Sequence, residues 1–423
     1  MLKKLNLLLI FSIALAYSVQ AARKKPNIIF ILADDLGYND LSCFGQKNFK
    51  TPVLDKMAKE GMKFTQHYAG STVCGPSRCS LLTGLHTGNS FLRGNGSFAL
   101  PADPAAPTIA SHLQKAGYIT AMIGKSGVAC NSKDASLPNK KGFDHFYGYL
   151  AHLDAHHHFP RVLWKNGQKV TFPNNYEKYG DTLADDVAVD DSVRFIKENR
   201  NKPFFLHIAL TAPHADLTAP AEAIKPYLGK MGKERPYPDS HYAGVKEPKA
   251  AFAGMVSHMD KSLAKIFKTL EKLKIETNTL VIFTSDNGTH REGGHHPEAL
   301  DSNGIYRGGK RDLYEGGIRV PMIAWWPGKI KANSVSKHPS AFWDFLPTAL
   351  QVAGYKKKIQ TDGISYLPTM LGKNEQKKHD YLYWEFYEGN GKQAVLWGDW
   401  KAVRVGMHKK KDPTFELFNL KSD

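Results

Sequence analysis

Four cysteines in 423 residues are too few to build a disulfide scaffold. Beyond residue 21 no apolar run reaches the ~20 residues that a membrane span requires, so stable membrane insertion is not expected. No solenoid, propeller or heptad period recurs along the chain. Acidic residues are also scarce, with 40 Asp and Glu against 57 Lys and Arg, a formal charge of +17. Such a surplus favours anionic partners: nucleic acid, acidic lipid, or a sulfated or carboxylated polysaccharide. A hydrophobic fraction of 42% rules out wholesale disorder. The length suits two to three average domains, or one large α/β domain with an appendage.

The first 21 residues read as an address. Lys3 and Lys4 precede an apolar stretch from Leu5 to Ala16, and Val19-Gln20-Ala21 offers the small residues of a cleavage site. This pattern predicts a secretory signal peptide over 1–21 and an exported product, periplasmic or secreted. Export sets nucleic acid aside as a partner. The clusters Lys356-Lys357-Lys358, Lys377-Lys378 and Lys409-Lys410-Lys411 read as solvated loops.

Four apolar runs end abruptly in polar residues. Asn27–Leu32 leads into Asp34-Asp35, Ile119–Ile123 into Gly124-Lys125, Phe204–Leu210 into Pro213-His214, and Thr279–Phe283 into Ser285-Asp286-Asn287-Gly288. Continuous β-branched and aromatic runs suit strands buried on both faces. Between them lie helical patterns: Thr51-Pro52 caps one that stops at Gly61, Pro107-Thr108 opens one that ends at Gly117, and a longer one runs from about Ala250. The alternation predicts an α/β fold with a large, mostly parallel or mixed sheet flanked by helices. In such sheets ligands bind beyond the carboxyl ends of the strands. Asp34, Asp35, Lys125, His214, Asp286 and Asn287 therefore converge on one edge. The oxygen donors Asp34, Asp35, Asp286 and Asn287 suit a hard cation such as Ca²⁺ or Mg²⁺. Two sequons, Asn95-Gly96-Ser97 and Asn287-Gly288-Thr289, are present, and a metal-ligating amide at Asn287 leaves no place for a glycan.

The stretch Cys74-Gly75-Pro76-Ser77-Arg78, followed by Leu82-Thr83-Gly84, is the most informative. On its own it opens a helix, with Cys74 either a buried residue or a thiolate at the helix N-terminus. It resembles the signature of the formylglycine-dependent sulfatases of the alkaline phosphatase superfamily. The resemblance spans nearly the whole mature chain through Ala33-Asp34-Asp35-Leu36-Gly37, Gly142-Phe143-Asp144, Pro213-His214, Ser285-Asp286-Asn287-Gly288, and Gly309-Lys310 to Tyr314-Glu315-Gly316-Gly317. It implies that a separate maturase oxidises Cys74 to formylglycine, whose hydrate attacks sulfur and then expels sulfate. It also implies Ca²⁺ on Asp34, Asp35, Asp286 and Asn287, Arg78 on the hydrate, Lys125 and Lys310 on sulfate oxygens, and His214 as proton donor to the leaving alcohol.

One departure stands out. Many members of that family carry Gly-Lys-Trp-His where this chain reads Gly124-Lys125-Ser126-Gly127, so a second histidine is missing at Gly127. His156, in Ala155-His156-His157-His158, is a candidate replacement, and His295 in the loop 290–297 is a candidate for meeting a sugar. The organisation expected is a catalytic domain over 22–372 and a small antiparallel-sheet subdomain over 373–423, including a hairpin from Gln393 to Arg404. The resemblance implies a subdomain longer than these residues. The activity expected is hydrolysis of sulfate esters on a sulfated polysaccharide or its oligosaccharides. The rivals are a phosphodiester or phosphonate ester hydrolase of the same superfamily and a non-catalytic glycan-binding homologue.

Overall fold

A computed structural model describes residues 25–95, 100–129, 137–408 and 413–422; the expected signal peptide and Cys130 lie outside them. In chain order the strands are β1 (Asn27–Ala33), β2 (Met62–Tyr68), β3 (Ile119–Ala129), β4 (His145–Ala151), β5 (Val162–Lys165), β6 (Gln168–Thr171), β7 (Phe204–Ala209), β8 (Thr279–Ser285), β9 (Arg319–Trp325), β10 (Ser334–Ser336), β11 (Ser340–Ala341), β12 (Leu382–Phe386), β13 (Lys392–Trp397), β14 (Trp400–Val405) and β15 (Thr414–Asn419). The longer helices are α1 (Pro52–Glu60), α2 (Cys74–Thr83), α3 (Ile109–Lys115), α4 (Ala184–Asn199), α5 (Pro248–Leu273) and α6 (Phe345–Val352).

The large sheet is ordered β10-β2-β9-β8-β1-β7-β3-β4-β5-β6, with β11 beside β2. Its centre, β8-β1-β7-β3-β4, is parallel. The flanking pairs β8–β9, β2–β9, β4–β5 and β5–β6 are antiparallel, so the sheet is mixed. Alternation along β1 shows why the run is apolar throughout. Ile28, Phe30 and Leu32 join one core with residues of α3 and α6, while Ile29, Ile31 and Ala33 join a second core with residues of α1, α4 and α5. A residue pointing to either face meets helices, so a polar side chain there needs a partner, as Asn27 finds in the Thr279 hydroxyl at 3.1 Å. The second sheet, β12-β13-β14-β15, is antiparallel, and Trp397 pairs with Trp400 across the expected hairpin turn.

Two local expectations are corrected. Lys125 does not lie beyond its strand, because β3 continues to Ala129 with a register shift between Lys125 and Ala129 against β4. A bulge of this kind re-aims side chains next to a site. Thr51 does not cap α1 through its side chain; Pro52 lacks an N–H, and the next two donors, Val53 and Leu54, are taken by the Asp260 carboxylate of α5 at 3.0 and 2.8 Å.

Candidate active site

β1 and β8 run in parallel register with Ala33 opposite Ser285, so they deliver Asp34-Asp35 and Asp286-Asn287 side by side. Asp35 adopts φ 63°, a left-handed conformation that costs an L residue ~1–2 kcal/mol. The Asp35 N–H donates to Asp286 Oδ1 at 3.1 Å, and the Asn287 amide donates to Asp35 Oδ1 at 2.7 Å. All four residues are buried.

α2 brings the nucleophile position to this edge. The Cys74 thiol donates to Asp34 Oδ1 at 3.1 Å. The Gly75 N–H donates to Asn95 Oδ1 at 2.9 Å, which occupies the side chain of that sequon. Ser77 Oγ donates to the Asp286 carbonyl at 2.5 Å and ties the helix to β8. Arg78, one turn after Cys74, donates Nε to Asp286 Oδ2 at 2.9 Å, ion-pairs Nη2 with the same oxygen at 2.8 Å, and donates Nη1 to the Lys125 carbonyl at 2.8 Å. Lys125 Nζ reaches Asp34 Oδ2 at 2.5 Å. Lys310 Nζ lies 2.8 Å from Asp35 Oδ2, 3.0 Å from His214 Nε2 and 2.8 Å from Glu292 Oε2. The structure therefore brings together Cys74, Arg78, Lys125, His214, Lys310, Asp34, Asp35, Asp286 and Asn287 as a single buried group.

Its electrostatics follow from crowding. Burial opposes ionisation of Asp34, yet Lys125 and Arg78 outweigh it and hold the carboxyl well below the usual range. Burial, then Asp34, pushes Asp286 up to about 7, against the pull of Arg78. Burial and the charges of Asp286 and Asp34 push the Cys74 thiol well up. Burial, Lys310 and Lys125 hold His214 far below an ordinary imidazole. His214 Nδ1 bonds the Ala215 carbonyl, which makes Nδ1 the protonated nitrogen and leaves Nε2 to accept from Lys310.

The donors also fit a hard divalent cation. Asp34, Asp35, Cys74 and His214 present ligand atoms all within 4.8 Å of one another. Asn287 Oδ1 is buried with no partner among the described residues, an orphaned oxygen at the end of β8. Asp286 instead turns its carboxylate to Arg78 and the Asp35 N–H. The carboxylates of Asp34 and Asp35 and the orphaned Asn287 oxygen offer hard donors of the kind a divalent cation takes.

The histidine tract divides its work. His156 stacks its ring on His214 with centroids 4.5 Å apart, and its buried Nδ1 has no partner among the described residues. His157 pairs with Asp216 at 2.7 Å. His158 bridges the Thr211 hydroxyl at 2.8 Å and the His214 carbonyl at 2.9 Å, fixing the turn that carries His214. At Gly127, φ is 70°, and a Cβ there would run into Arg78 Cδ and stand 3.0 Å from Nε. The arginine fills the space a side chain at that position would need.

His295 does not reach the group. It is buried with its ring stacked on Phe252 of α5 at 3.9 Å and Nε2 on the Thr289 hydroxyl at 3.1 Å. The same loop contributes Glu292, whose carboxylate meets Lys310. His290 holds it in place: Nδ1 accepts the Glu292 N–H at 3.0 Å while Nε2 bonds the Pro213 carbonyl at 3.0 Å. Tyr242 adds a hydroxyl 3.3 Å from Glu292 Oε2. The only signal in the sequence was an acid set among histidines and glycines, with nothing local to show which side chain faces inward.

Three buried cations around a nucleophile position, backed by hard oxygen donors, define an enzyme for esters of tetrahedral oxyanions. Comparison with known proteins narrows the class. The Sulfatase family model matches residues 26–355, and a second, "N-sulphoglucosamine sulphohydrolase, C-terminal", matches 304–423. The chain belongs to the sulfatase family, whose members hydrolyse sulfate esters and generally use formylglycine and a divalent metal. It is 33% identical over 420 residues to N-acetylgalactosamine-6-sulfatase of Canis lupus familiaris, covering 94% of this chain and 75% of that one. Steryl-sulfatase of Mus musculus is 29% identical, with coverage of 90% and 70%. Among solved structures, Ps i-CgsB in complex with k-i-k-neocarrahexaose superposes with a TM-score of 0.78 at 29% identity, over 95% of this chain and 87% of that one. A phosphonate monoester hydrolase of Agrobacterium radiobacter, at 20% identity and a TM-score of 0.67 over 94% of this chain and 90% of that one, shares the fold alone.

Proposed function

We propose that this enzyme is an exported sulfatase of sulfated polysaccharides or their oligosaccharides, using formylglycine made from Cys74 by a maturase, and Ca²⁺ held by Asp34, Asp35, Asp286 and Asn287. The observation that carries the reading is the hydrogen bond from Cys74 to Asp34, the carboxylate that also pairs with Lys125 and Arg78. The carbohydrate substrate is supported by relatives named for N-acetylgalactosamine 6-sulfate and by a neighbour solved with a neocarrahexaose.

An aldehyde hydrate at position 74 supplies one hydroxyl for attack on sulfur and a second whose deprotonation releases sulfate. A hard cation on the four oxygen donors supplies charge neutralisation for a sulfate oxygen. The chain's own residues do the rest. Lys125 and Lys310 clamp sulfate oxygens, where charge must be held as the ester bond breaks. Arg78, fixed by its fork onto Asp286, stands one helical turn from the nucleophile and stabilises its ionised hydroxyl. His214 Nε2 and Lys310 Nζ, 3.0 Å apart, share the proton destined for the leaving oxygen. His156, stacked on His214, supplies the imidazole that position 127 lacks, so His156→Ala should lower turnover, and unchanged turnover would remove it from the site.

The test is sulfate release by protein co-expressed with a maturase, on galactose-, glucosamine- and fucose-based sulfated oligosaccharides and on phosphate and phosphonate esters. Faster release from a sulfated sugar, abolished by Cys74→Ala without loss of fold, is the expected result. Preference for a phosphorus ester, or glycan binding without turnover, would overturn the reading. Export is tested by whether the secreted protein begins after Ala21.

A further inference from the structure

Glu292 has no part in the chemistry described above, yet its carboxylate is firmly anchored beside Lys310 and His214. Its oxygens are held by Lys310 at 2.8 Å, Arg311 at 2.6 Å and Tyr242 at 3.3 Å, and its backbone by His290. Lys310 Nζ sits 2.8 Å from both Asp35 and Glu292; Asp35 is 0% exposed and Glu292 is 17% exposed, so Glu292 is the carboxylate on the solvent side. Its Oε2 is 3.7 Å from His214 Nε2, the atom at which the leaving alcohol must arrive. The substituents of that alcohol therefore pass or rest beside a fixed negative charge.

Among the described residues, the cations next to Glu292 are ion-paired in turn. Arg311 is shared between Glu292 and Glu388, whose Oε2 lies 3.7 Å from its Nε. Lys310 and Arg311 are thus matched by Glu292 and Glu388, and the neighbouring Lys392 is matched by Asp312 at 2.8 Å. Glu292 and Glu388 set two fixed carboxylates beside the cations on the approach to His214.

Resting on the sulfatase reading, we propose that Glu292 is a specificity-determining residue: it selects sugars whose scissile sulfate is the only anion on the ring and disfavours those bearing a second sulfate or a carboxylate beside it. Like-charge juxtaposition in a partly dehydrated site discriminates strongly.

The experiment measures kcat and KM on two pairs of probes, N-acetylgalactosamine 6-sulfate with its 4,6-disulfate and galactose 6-sulfate with its 2,6-disulfate. Matured wild type, Glu292→Gln and Glu292→Asp are compared. Wild type should prefer the monosulfated member by about tenfold or more in kcat/KM. Glu292→Gln should shift the disulfated-to-monosulfated ratio upward by about tenfold, mainly through KM, and Glu292→Asp, which keeps the charge, should stay near wild type. The ratio does not depend on the fraction of protein folded. An unchanged ratio in Glu292→Gln, an equal loss on both members, or an equal shift in Glu292→Asp would overturn the assignment. Absence of turnover of every probe by matured wild type would instead refute the substrate reading, and this inference with it.

Discussion

Replacing Gly127 with alanine asks whether Arg78 truly occupies the place where a second histidine would stand. The backbone there has φ 70°, which costs an alanine ~1–2 kcal/mol before any contact is considered. The new Cβ would overlap Arg78 Cδ and lie 3.0 Å from Nε, inside the ~3.5–4.0 Å at which such atoms normally rest. Arg78 cannot simply rotate away, since Nε and Nη2 are on Asp286 at 2.9 and 2.8 Å and Nη1 is on the Lys125 carbonyl at 2.8 Å. Breaking a buried pair of this kind costs ~3–5 kcal/mol, so the loss should fall between ~2 kcal/mol if the pair survives and ~7 kcal/mol if it is lost. Urea unfolding of wild type and Gly127→Ala at equal calcium gives the stability change. Sulfate release by the folded fraction should drop about a hundredfold, the usual penalty for displacing a positioned group by an ångström. Equal stability and equal turnover in the two proteins would refute the steric argument.

Other consequences can be checked separately. Chelation of divalent cations should abolish sulfate release and lower the melting temperature, both restored by Ca²⁺; a melting curve unaffected by chelator and by added calcium would contradict the cation site. Asp260→Ala removes the acceptor for the Val53 and Leu54 N–H groups and should cost ~1–2 kcal/mol by chemical denaturation, with turnover per folded molecule retained. The hydrogen bond to Asp216 raises the pKa of His157 above its ordinary 6.5, so the pair stabilises the fold fully below that value and loses its contribution as pH rises through the higher folded pKa. His157→Gln should therefore flatten the fall in stability above pH 6.5, by about 1 kcal/mol or less because His157 is partly exposed to solvent; an unchanged pH profile would remove the pair from the account.

Much of this architecture was legible because both sides of the central strands are covered. A run such as Asn27–Leu32 can be uniformly apolar only when helices lie on both faces, and its abrupt end then marks a ligand edge. Antiparallel β2 and β9 were not read as strands: Met62–Tyr68 mixes polar with apolar residues, and Arg319–Trp325 is interrupted by Pro321. The continuation of β3 past Lys125 was hidden by Gly124 and Gly127, which look like a turn in one dimension. At the site, residues inside compact motifs were found, while those defined by distant contacts were not. His158 acts through Thr211, 53 positions away, and Glu292 acts through Tyr242, 50 positions away. Within the loop 290–297, Phe252 from α5 stacks on the His295 imidazole while the Glu292 carboxylate faces Lys310, contacts that no local pattern reveals.

The most direct test of the mechanism is the mass of the tryptic peptide Phe64–Arg78 from enzyme that is actively releasing sulfate. Replacement of the Cys74 thiol by an aldehyde or its hydrate, in proportion to specific activity, is the predicted result. A fully active preparation in which that peptide retains its thiol would contradict the account.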